Sequence, residues 1–179
     1  MRATEGRWYH AGMMRPRSAP SSPIASPAPR ATAGVTIGVA RLRELPGVAR
    51  LQRRAFPPRL AYTLGTLALL WALPWVQLLV ARRDRAIVGC IIGDRVIEGA
   101  RVINLAVDPD FRRQGIGAAL LRALDRALPG GDLVLMVQIE NLGAQALYRS
   151  EGFAVITEAP NYYGSGRAGL WMRRSRGVE

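Results

Sequence analysis

Residues 103–117 (Ile-Asn-Leu-Ala-Val-Asp-Pro-Asp-Phe-Arg-Arg-Gln-Gly-Ile-Gly) constrain the fold of this chain more than any other stretch. The apolar run 102–107 reads as a buried strand, and Asp108-Pro109-Asp110 is turn chemistry. A helix follows over 118–128, with Leu120, Leu121, Leu124 and Leu128 on one face. The glycine-rich turn between them exposes several backbone N–H groups at the positive end of a helix dipole. That arrangement suits a pyrophosphate.

Two familiar phosphate loops do not fit. A Walker loop needs a lysine after its last glycine, and this chain has none; all 25 basic residues are arginine. A dinucleotide fingerprint needs a further Gly or Ala three residues after its second glycine, where this chain has Leu120. What remains is Arg112-x-x-Gly115-x-Gly117 behind a strand ending Ala106-Val107-x-Pro109. A second motif follows an apolar strand over 133–139. It reads Asn141-x-x-Ala144-x-Ala146-Leu147-Tyr148-x-x-x-Gly152-Phe153. Asn141 can cap a helix. Ala144 and Ala146 allow close approach. Tyr148 lies about two turns on, so it can share a side with Asn141. Gly152 reads as the terminating glycine.

Together these motifs resemble the GNAT superfamily of N-acetyltransferases, and the resemblance covers residues 35–174. It implies an α/β fold: a mixed, mostly antiparallel sheet with a central splayed parallel pair and helices on both faces. Acetyl-CoA would lie between the splayed strands 102–107 and 133–139. The resemblance assigns backbone groups of Leu105, Ala106 and Val107 to the pantetheine and thioester. It assigns the amides of Arg112, Arg113, Gln114, Gly115, Ile116, Gly117 and Ala118 to the pyrophosphate, and Asn141 to the cofactor arm. Tyr148 would be the catalytic acid, reprotonating the leaving thiolate. Within the superfamily, Asn161-Tyr162-Tyr163-Gly164 before the last strand is similar to the ribosomal-protein alanine N-acetyltransferases. There, Tyr162 and Tyr163 would close over the acceptor's N-terminus; an aromatic pair packing the loop onto the domain is the alternative. Two positions depart from the pattern. Met136 stands where those enzymes carry a glutamate, and Arg101 stands where another glutamate is common. Glu140 and Glu98 are the remaining candidates for a base. A peptide α-amine, of pKa about 8, needs less help than a lysine.

Composition bounds the rest. One cysteine, Cys90, excludes an intramolecular disulfide, and it reads as a small buried hydrophobe in a reducing cytoplasm. The single histidine, His10, lies in the first 33 residues, so neither a histidine triad nor a metal site is expected. The net charge is +12, but the arginines are dispersed and no motif reads nucleic acid. Arg122 is expected to pair with Asp125. Residues 1–33, rich in Pro, Ser, Ala and Arg, read as a disordered tail without a secretory signal. Residues 34–175 form the expected domain and 176–179 a C-terminal tail.

Residues 60–81 carry no charge over 22 positions, long enough to cross a bilayer. Pro74, Gln77 and Gly65 argue instead for a helix over 60–73 and a strand over 76–81. Membrane contact through this stretch is the less favoured reading. The other expected elements are strands 35–40, 85–93, 99–107, 153–159 and 170–174, and helices 45–55, 115–128 and 142–151. The expected function is acetyl transfer from acetyl-CoA to a primary amine, most simply the α-amine of a peptide or protein N-terminus such as a ribosomal protein's. The alternatives are a small-molecule amine as acceptor, or a weakly active CoA-binding or protein-interaction module.

Overall fold

The computed structural model describes residues 34–176. The tail expected over 1–33 lies outside the described residues. Seven strands form one sheet: β1 (Val35–Val39), β2 (Val76–Arg83), β3 (Ala86–Val96), β4 (Gly99–Val107), β5 (Asp132–Gln138), β6 (Ala154–Ala159) and β7 (Gly169–Arg174). Their spatial order is β1-β2-β3-β4-β5-β7-β6. Every neighbouring pair is antiparallel except β4 and β5. The mixed sheet expected from the sequence is therefore the one observed.

Four helices cover it. On one face, α1 (Leu45–Ala55) buries Leu45, Val48, Ala49 and Leu51 against a cluster that includes Val80, Cys90, Ile92 and Ala106. Proline in its first turn suits its start. It stops at Phe56 because Pro57 disfavours helical backbone before it. The next helix, α2 (Leu64–Ala72), begins four residues later than the sequence suggested. Residues 57–61 close a turn instead, with Leu60 N and Ala61 N donating to Pro57 O, and the Thr63 hydroxyl caps the helix by accepting from Thr66 N at 3.2 Å. Pro74 then separates α2 from β2. None of the described helices is long and apolar enough to cross a membrane. Leu64, Leu69 and Trp71 of α2 are nevertheless exposed to solvent.

On the opposite face, α3 (Ile116–Ala127) and α4 (Leu142–Ser150) cover the second cluster. It gathers Leu120, Leu121, Leu124, Leu133, Leu135, Tyr148, Phe153 and Met172. The pairing expected of Arg122 with Asp125 does not form. Arg122 reaches across to Glu151 instead, through two hydrogen bonds of 2.9 and 2.7 Å. Asp125 is taken by Arg174 and Arg176, at 2.7 and 2.6 Å. Sequence spacing offers Asp125 as a helical neighbour, but the bidentate geometry on Glu151 is the stronger interaction. Arg176 also donates to the carbonyls of Leu128 and Gly130, so the domain's contacts extend through this residue.

Two features of β4 set up the site. Between Ile92 and Gly93 the partner on β4 jumps from Asn104 to Val102, which leaves Ile103 as a bulge. The bulge turns Ile103 and Asn104 towards the α1 side, where Gln52 donates to Asn104 Oδ1 at 2.7 Å. Beyond it, Leu105 and Val107 pack on the α3 side. The second feature is the short parallel ladder. Pairing runs from Gly99↔Asp132 to Val102↔Leu135 and then ends, although both strands continue.

Candidate functional site

Past Val102 and Leu135, β4 and β5 diverge and expose a backbone edge each. Asp108 N donates to Val88 O at 2.9 Å. Strand alternation therefore directs the amides of Ala106 and Asn104 to β3 as well, and those of Leu105 and Val107 into the gap. On β5, Ile139 N donates to Ala168 O at 3.2 Å. By the same alternation, Met136 and Gln138 turn their amides into the gap. Of the three β4 residues proposed from the motif, Leu105 and Val107 thus turn polar backbone into the gap, the Val107 carbonyl accepting from Arg112 Nε at 3.4 Å, whereas Ala106 presents its backbone to β3.

The gap leads to the start of α3. Gly115, the residue before the helix, has φ +79° and no side chain to cap the first turn, so the amides of Ile116, Gly117 and Ala118 are uncapped. Arg113 also takes a left-handed conformation, φ +62°. Arg112, Arg113 and Gln114 are exposed around this turn. The approach to it is rigid: Arg54 of α1 binds Asp108 at 3.0 Å and Asp110 at 2.7 Å, and Asp108 accepts from Asp110 N. Gly117 also has a packing duty that the loop motif does not suggest. A Cβ there would lie 2.9 Å from Leu147 Cδ2, so this glycine lets α3 pack on α4.

The start of α4 closes the other side. Asn141 caps it, its Oδ1 accepting from Ala144 N at 3.1 Å, which leaves its amide nitrogen for a ligand. Two turns on, Tyr148 is 7% exposed and packs on Phe153 with ring centroids 5.8 Å apart. Burial, with a smaller contribution from Tyr163, pushes its phenol well above the usual tyrosine range, so it carries its proton throughout neutral pH. Gly152 ends the helix in a left-handed turn, φ +86°, with Phe153 N returning to Tyr148 O at 3.0 Å.

The loop between β6 and β7 supplies the tyrosine pair. Tyr163 donates its hydroxyl to Met136 O at 3.2 Å, on the open edge of β5. Burial, first, and Tyr162 and Tyr62 after it push its phenol up to about 12. Tyr162 stands edge-on to Tyr163 at 5.0 Å and to Trp171 at 6.5 Å. Arg167 braces the loop by donating to Tyr163 O. Tyr62, between α1 and α2, joins this group, and its phenol is raised chiefly by burial. Sequence reasoning missed Tyr62. It lies about 100 residues from its neighbours and belongs to no motif; only the α1–α2 turn brings it there.

No carboxylate stands where a base was sought. Met136 lies on the open edge, and Arg101 is committed to Asp94 through contacts of 3.1 and 2.6 Å. Glu98 lies at the closed end of the parallel pair, where its carbonyl accepts from Asp132 N. At about 3.3 Å per residue it is roughly 20 Å from Leu105. Glu140 is exposed just beyond β5, beside Asn141. Cys90 is buried and its thiol is pushed up to about 12, mainly by that burial, which rules it out as a nucleophile. Among the described residues no cluster of His, Cys, Asp and Glu could hold a metal ion.

Comparison with known proteins agrees with this geometry. Residues 74–155 match the family model of the acetyltransferase (GNAT) domain. A 71-residue segment is 45% identical to the [ribosomal protein bS18]-alanine N-acetyltransferase of Escherichia coli K12, covering 38% of this chain and 48% of that protein. The chain thus spans about half the length of such curated relatives. The crystal structure of the Escherichia coli ribosomal-protein-S18-alanine N-acetyltransferase superposes with a TM-score of 0.72 at 28% identity, over 81% of this chain and 96% of the other. Ard1 from Thermoplasma volcanium gives 0.69 at 27% identity, over 81% and 99%. Residues 74–155 thus match a GNAT acetyltransferase domain, and the fold is that of the GNAT acetyltransferases.

Proposed function

We propose that this chain is an acetyl-CoA-dependent N-acetyltransferase whose acceptor is the α-amine of a peptide or protein N-terminus. One observation carries the reading: the gap between β4 and β5 is lined at once by free backbone groups, an uncapped helix start, a buried protonated tyrosine and an aromatic loop. The residues present fit the cofactor. Leu105 and Val107 would bond its amide-bearing arm, the amides of 115–118 with Arg112, Arg113 and Gln114 would hold the pyrophosphate, and the Asn141 amide would donate to the arm. Bound there, acetyl-CoA supplies an activated acyl group.

The chain's own work is then to orient, dehydrate and move one proton. Backbone dipoles on the open β4 edge polarise the carbonyl placed against them. Tyr148, protonated and shielded from water, gives its proton to the departing sulfur, and the proton shed by the acylated nitrogen restores it. Tyr62, Tyr162 and Tyr163 enclose the acceptor and hold its amine in line, which makes positioning the larger part of the rate. Without a carboxylate base, the amine must arrive neutral. An α-amine does so readily, with a pKa near 8 against about 10.4 for lysine. A ribosomal protein is one source of such an N-terminus, because the Escherichia coli relatives act on bS18.

The test is an acetylation screen of peptide N-termini, polyamines and amino acids, followed by CoA release, with mass spectrometry locating the acetyl group. Acetylation of free N-termini, and not of internal lysines in N-terminally blocked peptides, is the expected result. Met136 and Arg101 in place of carboxylates favour a second reading, a CoA-binding module with little turnover. Tight acetyl-CoA binding with no acceptor turned over would select it.

A further inference from the structure

The sheet face opposite α3 and α4 is left uncovered along β5 and β7, and it forms the floor beside the tyrosine loop. One row of residues crosses this floor strand by strand. Asp94 on β3 faces Arg101 on β4, Arg101 faces Val134 on β5, and Val134 faces Arg173 on β7. The next position along β5 on this face is Met136, opposite Trp171. From strand spacing and rise, the Arg101 and Met136 Cα atoms lie about 8 Å apart. Met136 O receives the Tyr163 hydroxyl, and Trp171 supports Tyr162. Arg101 is therefore part of the acceptor's approach, immediately short of the gap.

Arg101 is also held in a defined pose. Its Nε and Nη2 donate to the two oxygens of Asp94, which is itself almost fully buried. Nη1 is left over, and the side chain remains 46% exposed. A bidentate partner fixes the guanidinium plane, so the outer nitrogen points a donor at whatever lies over the floor. The charges around it lean positive by one: Arg101 and Arg173 are paired with Asp94 and Asp132, and Arg167, which binds a backbone carbonyl, is the cation left over. Tyr62 feels the Arg101 charge. A cationic amine entering here is repelled unless its own molecule brings an anion.

We propose that Arg101, buttressed by Asp94, is a specificity-determining residue that binds a carboxylate of the acceptor close to its reacting amine. The acceptor class is a peptide whose second or third residue is Asp or Glu. This rests on the peptide α-amine reading above and narrows it. An acidic side chain one or two residues from the terminus spans the distance from the gap to Arg101 and neutralises the mouth.

The experiment compares peptides alike except for Glu, Gln or Lys at position two, using the full chain and saturating acetyl-CoA. The Glu peptide is expected to exceed the Gln peptide about tenfold in kcat/KM, as one charge-assisted hydrogen bond allows, and to exceed Lys by more. The double variant Arg101→Gln with Asp94→Asn replaces the ion pair by a neutral hydrogen-bonded pair and so avoids stranding a buried carboxylate. In it the Glu/Gln ratio is expected to fall to about one, with the KM for acetyl-CoA unmoved. Arg101→Lys should give an intermediate ratio. No Glu preference in the native chain, or a preference that survives the double variant, overturns the proposal. Free glutamate and glutamine form a separate arm. If they, and no peptide, are acetylated with an Arg101-dependent preference for glutamate, carboxylate recognition stands and the peptide reading falls. If nothing is turned over, calorimetric binding of the same peptides to the CoA-saturated protein decides: equal affinity for Glu and Gln peptides overturns the proposal, and an Arg101-dependent preference supports it.

Discussion

Replacing Tyr148 by Phe isolates one oxygen atom and tests the chemistry directly. The ring, which packs on Phe153 at 5.8 Å, is retained, and the site is almost fully buried. Losing a single desolvated hydroxyl should change stability by no more than about 1 kcal/mol. For a domain of this size that moves Tm by about 2–4 °C. If Tyr148 delivers the proton to the leaving sulfur, kcat should fall about 10²- to 10⁴-fold, which is roughly 3–5 kcal/mol of barrier. The KM for acetyl-CoA should hardly move, because the backbone of 105–107 and the start of α3 are untouched. The loss then appears equally in kcat and kcat/KM, the signature of an interaction made only in the transition state. Steady-state CoA release, paired with a melting curve of the same preparation, measures both quantities. Native turnover in the Phe variant, with the chemical step shown to be rate-limiting, would refute the acid assignment and leave Tyr148 a packing residue.

Three further outcomes follow from the geometry. Tyr163→Phe frees Met136 O and should raise the KM for peptide while leaving acetyl-CoA binding by calorimetry unchanged; Tyr162→Ala should do the same by removing the edge-on support. Gly117→Val should weaken acetyl-CoA binding and also lower Tm, since the new side chain strikes Leu147 at the α3–α4 contact; a variant with native melting and native affinity would remove Gly117 from both roles. Glu44 binds Arg82 at 2.7 and 2.8 Å and accepts from Arg41 N, and chiefly the Arg82 hydrogen bond lowers its pKa from 4.5 to about 2. A depressed carboxyl stabilises the fold above its unfolded pKa and loses that contribution as pH falls from about 5 towards 2. Glu44→Gln should therefore cost about 1–2 kcal/mol at pH 7, after discounting for solvent, and little at pH 2 in denaturant melts.

The glycine turn before α3, the helices α3 and α4 with their ends, and the place of Tyr148 two turns from Asn141 were legible in the sequence because each rests on local chemistry. Gly115, Asn141 and Gly152 act within a few residues of themselves, so spacing alone exposes them. The alternation of β4 was hidden because residues 102–107 are nearly all apolar or small, and nothing in such a run marks Ile103 as the extra residue. Arg122 misled for the opposite reason: the local partner three positions away was visible, and the stronger one, Glu151, was 29 positions off. The floor beside the tyrosine loop was invisible in principle. Asp94, Arg101, Val134 and Arg173 become neighbours only through strand register, and no periodicity in one segment encodes the register of four.

The closed end of the parallel pair carries a consequence for the whole molecule. Gly99, at φ +148°, lies so near Asp132 that a Cβ would sit 2.1 Å from its carbonyl oxygen, and a Cβ on Gly131 would sit 2.2 Å from Glu98 O. Backbone meets backbone there like the pin of a clasp, while the far ends stand open. The sheet is thus two slabs, β1–β4 and β5–β7, sewn together by four residue pairs. A guest bearing amides would act as a missing thread between them, completing hydrogen bonds the protein has left unmade. Loading the cofactor and finishing the fold would then be a single event, so resistance to heat or to proteolysis across the seam should report occupancy before any acceptor is known.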